Sequence, residues 1–132
     1  MTSKGFSAGY GTKTAMPKQK NLMRTICRSE DLSSGGPGFR FSILENGVDL
    51  PAFVIRYSES VYGFVNRCAH RDLELDWSPG DFFDREGRYL ICATHGALYE
   101  PETGICVAGP CKGQSLRRID VTEIDGIIYL ET

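Results

Sequence analysis

The chain has two histidines, and each follows a cysteine at short range: Cys68-Ala69-His70 and Cys92-Ala93-Thr94-His95. Thiolate and imidazole together are the donor set for metals of intermediate softness. The 21 residues between His70 and Cys92 mean that two distant loops must converge if the pairs share one centre. Because the pairs use both imidazoles, no histidine is left for a Ser-His-Asp arrangement or for a mononuclear iron held by two histidines and a carboxylate. Cys68 or Cys92 acting as a nucleophile beside its histidine fits less well, since two copies in matching loops suit ligation better.

The surrounding pattern is that of an all-β domain. Short apolar runs are expected as strands at residues 21–28, 39–44, 52–57, 61–65, 88–91, 97–99, 105–107, 116–124 and 127–131, with a helical turn at 29–31. Glu45-Asn46-Gly47 and Asp125-Gly126 are hairpin cues, and Pro101-Glu102-Thr103-Gly104 is a further turn. Regular short strands broken this way point to an antiparallel sandwich or barrel. Each Cys-His pair follows a strand and enters a loop, where binding residues are usually carried. Residues 1–21, rich in Gly, Ser, Thr and Lys, read as an arm ahead of a domain at 22–132.

Charge and cysteine usage narrow the class. The net charge is −2, but residues 1–28 carry six bases and no acid, and the remainder carries nine bases against 17 acids. The acidic body argues against nucleic acid and suggests basic protein partners, with Asp72, Glu74 and Asp76 beside the first loop placed to steer them. The basic arm reads as a solvated tail that could also mediate self-association. Five cysteines, an odd number, make a disulfide scaffold a poor reading. Cys106 and Cys111 read as unpaired thiols and Cys27 as a small core residue. No apolar stretch is long enough to span a bilayer and no secretory signal is seen, so the expected location is the cytoplasm.

Two cysteines and two histidines can bind zinc tetrahedrally or a [2Fe–2S] cluster with the cysteines on one iron and the histidines on the other. The order of the ligands helps here. Common zinc fingers group like with like, whereas each loop here supplies one Cys and one His, which suits two unlike irons.

At these residues the chain resembles the Rieske iron–sulfur family, whose motif is C-x-H followed by C-x-x-H. The resemblance extends to Leu73, to Tyr99, to the turn Glu102-Thr103-Gly104 and to Gly109-Pro110, and spans roughly residues 24–131. It implies a Rieske-like antiparallel fold with a small cluster-binding subdomain, and one [2Fe–2S] cluster held by Cys68 and Cys92 on the inner iron and His70 and His95 on the outer. Tyr99 would donate to a ligand thiolate, and Gly109 and Pro110 would shield the cluster. Two thiolates, two sulfides and two ferric ions sum to zero charge, so adding an electron is easier than for a four-cysteine cluster, and Rieske potentials run from roughly −150 to +300 mV.

Departures from the pattern specify the class. Members of cytochrome complexes join their two cluster loops by a disulfide; Leu73 and Thr94 stand at those places here. Ala97 stands where those members place a serine. The chain is therefore most similar to the soluble ferredoxins of ring-hydroxylating dioxygenase systems, with a potential expected in the lower half of the range. Arg71, after the first histidine, resembles oxygenase components and reads here as a surface or salt-bridging residue. The segment between the loops, with Trp77, Phe82 and Phe83, is expected to brace loop one through apolar contacts. The implied function is one-electron transfer from a reductase to an oxygenase or another redox partner, with no catalysis by the chain alone. The alternatives are a Rieske-like small subunit of a larger oxidoreductase complex and a zinc-stabilised binding module.

Overall fold

The computed structural model describes residues 23–69 and 73–131; the expected arm and His70, Arg71 and Asp72 lie outside these. The described residues form ten strands and one short 3-10 turn. The strands are β1 (Met23–Arg28), β2 (Phe39–Glu45), β3 (Val48–Tyr57), β4 (Ser60–Val65), β5 (Leu90–Ile91), β6 (Leu98–Tyr99), β7 (Cys106–Ala108), β8 (Arg118–Ile119), β9 (Val121–Ile124) and β10 (Ile127–Glu131). The 3-10 turn is Ser29–Asp31. Three antiparallel sheets result, in the orders β2-β3-β4-β8, β9-β10-β1 and β5-β6-β7. The fold is the antiparallel all-β architecture expected from the strand pattern. None of the helices among the described residues is long and apolar enough to cross a membrane.

Hairpin chemistry sets the register. Asn46 and Gly47 have φ of 52° and 78°, and Asp125 and Gly126 have 49° and 82°. Two successive left-handed residues make the tight turn whose twist matches paired strands, so Glu45 pairs with Val48 and Ile124 with Ile127. β3 starts earlier than its apolar run suggests, because the tight turn delivers Val48 directly into register.

β3 is the divider of the molecule. Ala52, Phe53, Val54 and Ile55 are all fully buried, and alternate side chains face opposite ways along a strand. Phe53 and Ile55 enter the larger core with Phe64, Leu75, Phe82, Leu90 and Tyr99. Val54 enters a smaller core with Cys27, Leu32 and Ile128. Burial raises the Cys27 thiol to about 11 and keeps it protonated.

Two expectations are corrected. The run at residues 116–124 is not one strand: β8 pairs with β4 through Gly63↔Ile119 and Phe64↔Arg118, and β9 pairs with β10. The chain crosses between sheets at exposed Asp120, whose carbonyl accepts from the Glu131 amide at 3.0 Å. Such sheet-switching bends make the corners of packed β structures. Trp77 is not part of the apolar brace, being 81% exposed, whereas Phe82 and Phe83 are buried. Phe82 stacks on Phe53 with ring centroids 3.9 Å apart.

This difference in burial is testable. Phe82→Ala should lower stability by about 3–5 kcal/mol through lost contacts and a cavity. Trp77→Ala should stay within about 0.5 kcal/mol of the parent. Urea denaturation midpoints of the two variants measure the contrast.

Candidate metal centre

The two Cys-containing loops leave different sheets and meet at the edge of the larger core. Loop one leaves β4 at Val65 and runs through Asn66 and Arg67 to Cys68. Loop two joins β5 to β6 and carries Cys92 to Ala97. Cys68 and Cys92 are 3% and 0% exposed, while His95 is partly exposed. The sulfurs of Cys68 and Cys92 and a ring nitrogen of His95 lie within 4.8 Å of one another. Cys92 Sγ is 3.8 Å from His95 Nδ1. These three are the sequence candidates that the structure brings together; His70 falls outside the described residues.

Loop two is closed by its own backbone. The Cys92 amide donates to the Ala97 carbonyl at 2.9 Å, and the Gly96 amide to the Cys92 carbonyl at 2.7 Å. The β5–β6 pairing then places Tyr99, fully buried, beneath the site. Its hydroxyl accepts from the Ala69 amide at 3.1 Å and lies 3.3 Å from Cys68 Sγ. It also lies 3.2 Å from Cys111 Sγ. Burial pushes the Tyr99 hydroxyl far up, so it keeps its proton and remains a donor.

Loop one is built around two buried polar residues that the sequence pattern did not single out for this task. The Asn66 amide donates to the Pro51 carbonyl at 2.8 Å. Its side chain donates to Asp76 Oδ1 at 3.0 Å and accepts from the Leu75 amide at 2.8 Å. Asp76 Oδ2 accepts from the Gly80 amide at 2.9 Å and pairs with Arg40 Nε at 3.2 Å. The loop is stitched further by the Cys68 amide to the Leu73 carbonyl at 2.7 Å, and to loop two by the Ala93 amide to the Leu75 carbonyl at 2.9 Å. Asp76 therefore does not steer partners: its carboxylate is fully buried and engaged inside the protein. Glu74, offered with it, is paired to Arg40 at 2.8 Å.

Gly109 and Pro110 form an exposed turn after β7. Gly109 has φ of 104°, and a β-carbon there would sit 2.9 Å from Ala97 Cα. A glycine is needed both for the backbone conformation and for this close approach, which sets the proline-bearing turn against loop two.

Two buried thiols and an imidazole in close contact are a soft donor set with little capacity to bind a hard cation. Burial and the neighbouring Cys68 raise the Cys92 thiol, so two thiolates can coexist here only around a strongly positive centre. These residues fit an iron–sulfur group chemically. Residues 23–124 match the family model described as Rieske [2Fe-2S] domain. The chain belongs to that family, and its cofactor is one [2Fe–2S] cluster of the Rieske type.

Solved structures with the same fold include the ferredoxin of carbazole 1,9a-dioxygenase from Nocardioides aromaticivorans IC177, at 24% identity and a TM-score of 0.63, over 83% of this chain and 97% of that one. The Sphingomonas yanoikuyae B1 ferredoxin is 20% identical, with a TM-score of 0.61 over 83% of this chain and 97% of that one. A chain from a complex of reduced oxygenase and oxidized ferredoxin in carbazole 1,9a-dioxygenase is 22% identical, with a TM-score of 0.63 over 83% of this chain and 93% of that one. No curated protein matches the chain.

The bracing role of the Asn66–Asp76 pair is testable. Asp76→Ala leaves the Asn66 side-chain Nδ2, the Gly80 backbone amide and Arg40 Nε without their buried acceptor. It should cost about 2–4 kcal/mol and reduce iron bound per chain, measured by urea midpoint and by iron analysis of the purified protein.

Proposed function

We propose that this chain is a one-electron carrier, a Rieske-type ferredoxin that takes an electron from a reductase and passes it to an oxygenase or a similar redox enzyme. Cys68 and Cys92 hold the inner iron, and His70 and His95 the outer iron. The observation that carries this reading is the convergence of two buried thiols and the half-buried His95 within 4.8 Å in a member of the Rieske family.

When bound, such a cluster supplies reversible one-electron chemistry at a raised potential, because neutral imidazoles replace two thiolates. The protein's own residues do the rest. Cys68 and Cys92 keep the thiolate side in the core, away from solvent. His95, at the surface-facing side of loop two, marks the edge through which a partner is reached. Tyr99 aims a hydroxyl at Cys68 Sγ, where a donated hydrogen bond favours added negative charge. The turn at Gly109 and Pro110 limits water at the same site.

The similar fold of ferredoxins, one seen in complex with an oxygenase, supports an oxygenase as the acceptor class. With no histidine beyond the two in the motifs, the chain does not assemble a separate oxygen-activating iron of the two-histidine kind and acts as a carrier rather than an enzyme. Five cysteines, an odd number of which two are assigned to the cluster, do not make a disulfide scaffold and fit a reducing compartment, the cytoplasm.

Two measurements test this. The purified protein should contain iron and acid-labile sulfide in equal amounts, and the dithionite-reduced form should give a rhombic paramagnetic resonance spectrum with low average g; zinc without sulfide would overturn the reading. Tyr99→Phe should retain the cluster and shift its potential downward in protein-film voltammetry. An unchanged potential would remove Tyr99 from the mechanism.

A further inference from the structure

Cys106 and Cys111 take no part in the ligand set, yet their thiols meet in the core. Their sulfurs are 2.9 Å apart, and the residues are 2% and 1% exposed. Cys106 opens β7 and is clamped at the neck of the following turn: its amide donates to the Gln114 carbonyl at 2.7 Å, and its carbonyl accepts from Gly113 at 3.2 Å. The turn folds Cys111 back beneath Gly109 and Pro110, and the Lys112 amide reaches the Gly109 carbonyl at 3.3 Å. A bonded sulfur pair sits at about 2.05 Å, so closure requires a movement of under about 1 Å within a turn whose ends are already held.

The pair is wired to the proposed cluster site. Cys111 donates to Cys106 Sγ, and Cys106 donates to the Ala108 carbonyl at 3.2 Å. Cys111 Sγ is thereby left as an acceptor for Tyr99 Oη at 3.2 Å, in competition with Cys68 Sγ at 3.3 Å. Tyr99 has one proton to give.

We propose that Cys106 and Cys111 form a reversible dithiol–disulfide switch whose state is passed through Tyr99 to Cys68 and sets the potential of the cluster. The proposal rests on the Rieske reading for its second half. In the disulfide form Cys111 is drawn toward Cys106 and away from Tyr99. The Tyr99 proton then goes to Cys68 alone, and the potential rises. Two small core cysteines would pack equally well without meeting; the shared contact with Tyr99 is what a packing role does not require.

The oxidant is a low-molecular-weight disulfide of the glutathione class. One protein thiolate attacks its sulfur–sulfur bond to give a mixed disulfide and one small thiol. The second protein thiolate displaces the other small thiol. Two protons leave the protein thiols, two electrons reach the oxidant, and one protein disulfide remains. Gly109, Pro110, Lys112 and Gly113 on either side of Cys111 are exposed, so local opening of this turn supplies access. Burial raises the Cys106 thiol to about 11, so exchange is slow and equilibration must be long.

The test equilibrates the full-length, cluster-loaded protein in buffers of varied reduced-to-oxidised glutathione ratio. Free thiols are trapped by alkylation under denaturing conditions. Mass spectrometry should find a peptide crosslinked between Cys106 and Cys111, rising with the oxidised fraction. Voltammetry should show a higher potential for the crosslinked form, and Tyr99→Phe should abolish the difference. Cys106→Ala and Cys106→Ser should each give a potential independent of the glutathione ratio. Full alkylation of both cysteines at every ratio overturns the switch. Equal or lower potential in the crosslinked form overturns its coupling to the cluster. Crosslinking in a chain that binds no iron overturns the Rieske reading and leaves the thiol pair standing.

Discussion

The hydroxyl of Tyr99 is the contact on which the arrangement of the site depends. One oxygen meets the Ala69 amide and the Cys68 sulfur of loop one and the Cys111 sulfur behind the proline-bearing turn. Its ring fills the core at 0% exposure, and its backbone pairs with Leu90 and Cys106 in the small sheet. A buried hydroxyl must be satisfied, and here satisfying it fixes three segments relative to one another. Few other side chains combine that reach with the apolar surface needed to sit among Phe53, Phe64 and Leu90.

The small sheet presents this site on the two packed cores that flank β3. β3 is buried on both faces and separates two cores. Arg56, near its end, donates to the Leu32 and Ser29 carbonyls at 3.0 and 3.3 Å and to Glu123 at 2.5 Å. That guanidinium ties the N-terminal sheet to the larger one. Glu123 is held below its usual carboxylate range by Arg56, so its contribution to stability is present above the ordinary carboxylate pKa. It fades as the pH falls through the lowered value.

Buried polarity is concentrated where geometry has to be held. Apart from Tyr99 and the thiols, the buried polar or charged side chains among the described residues are Asn66 and Asp76, and they bond each other and the backbone of loop one. A loop without regular hydrogen bonding needs such partners, because unpaired backbone groups in the interior are costly. The same loop leaves Leu73 and Trp77 exposed at 42% and 81% and buries only Leu75 between them in the larger core.

Local chemistry is what the sequence by itself determined. The Asn-Gly and Asp-Gly turns dictate hairpin register because their φ preferences are a property of two residues. The alternation and runs of apolar residues specify short antiparallel strands. The Cys-His pairs specify a soft donor set, since ligand type follows from side-chain chemistry. Only the tertiary structure decided which distant groups meet. Asp76 reads as a surface acid in a run of charges, and becomes a buried brace only because Asn66, Gly80 and Arg40 converge on it. Residues 116–124 read as one strand because pairing partners are not written in the strand's own pattern; the change of sheet at Asp120 is set by neighbours far along the chain. Cys111 and Tyr99 carry no joint signal in sequence, and their 3.2 Å contact exists because the turn after β7 folds back onto β6.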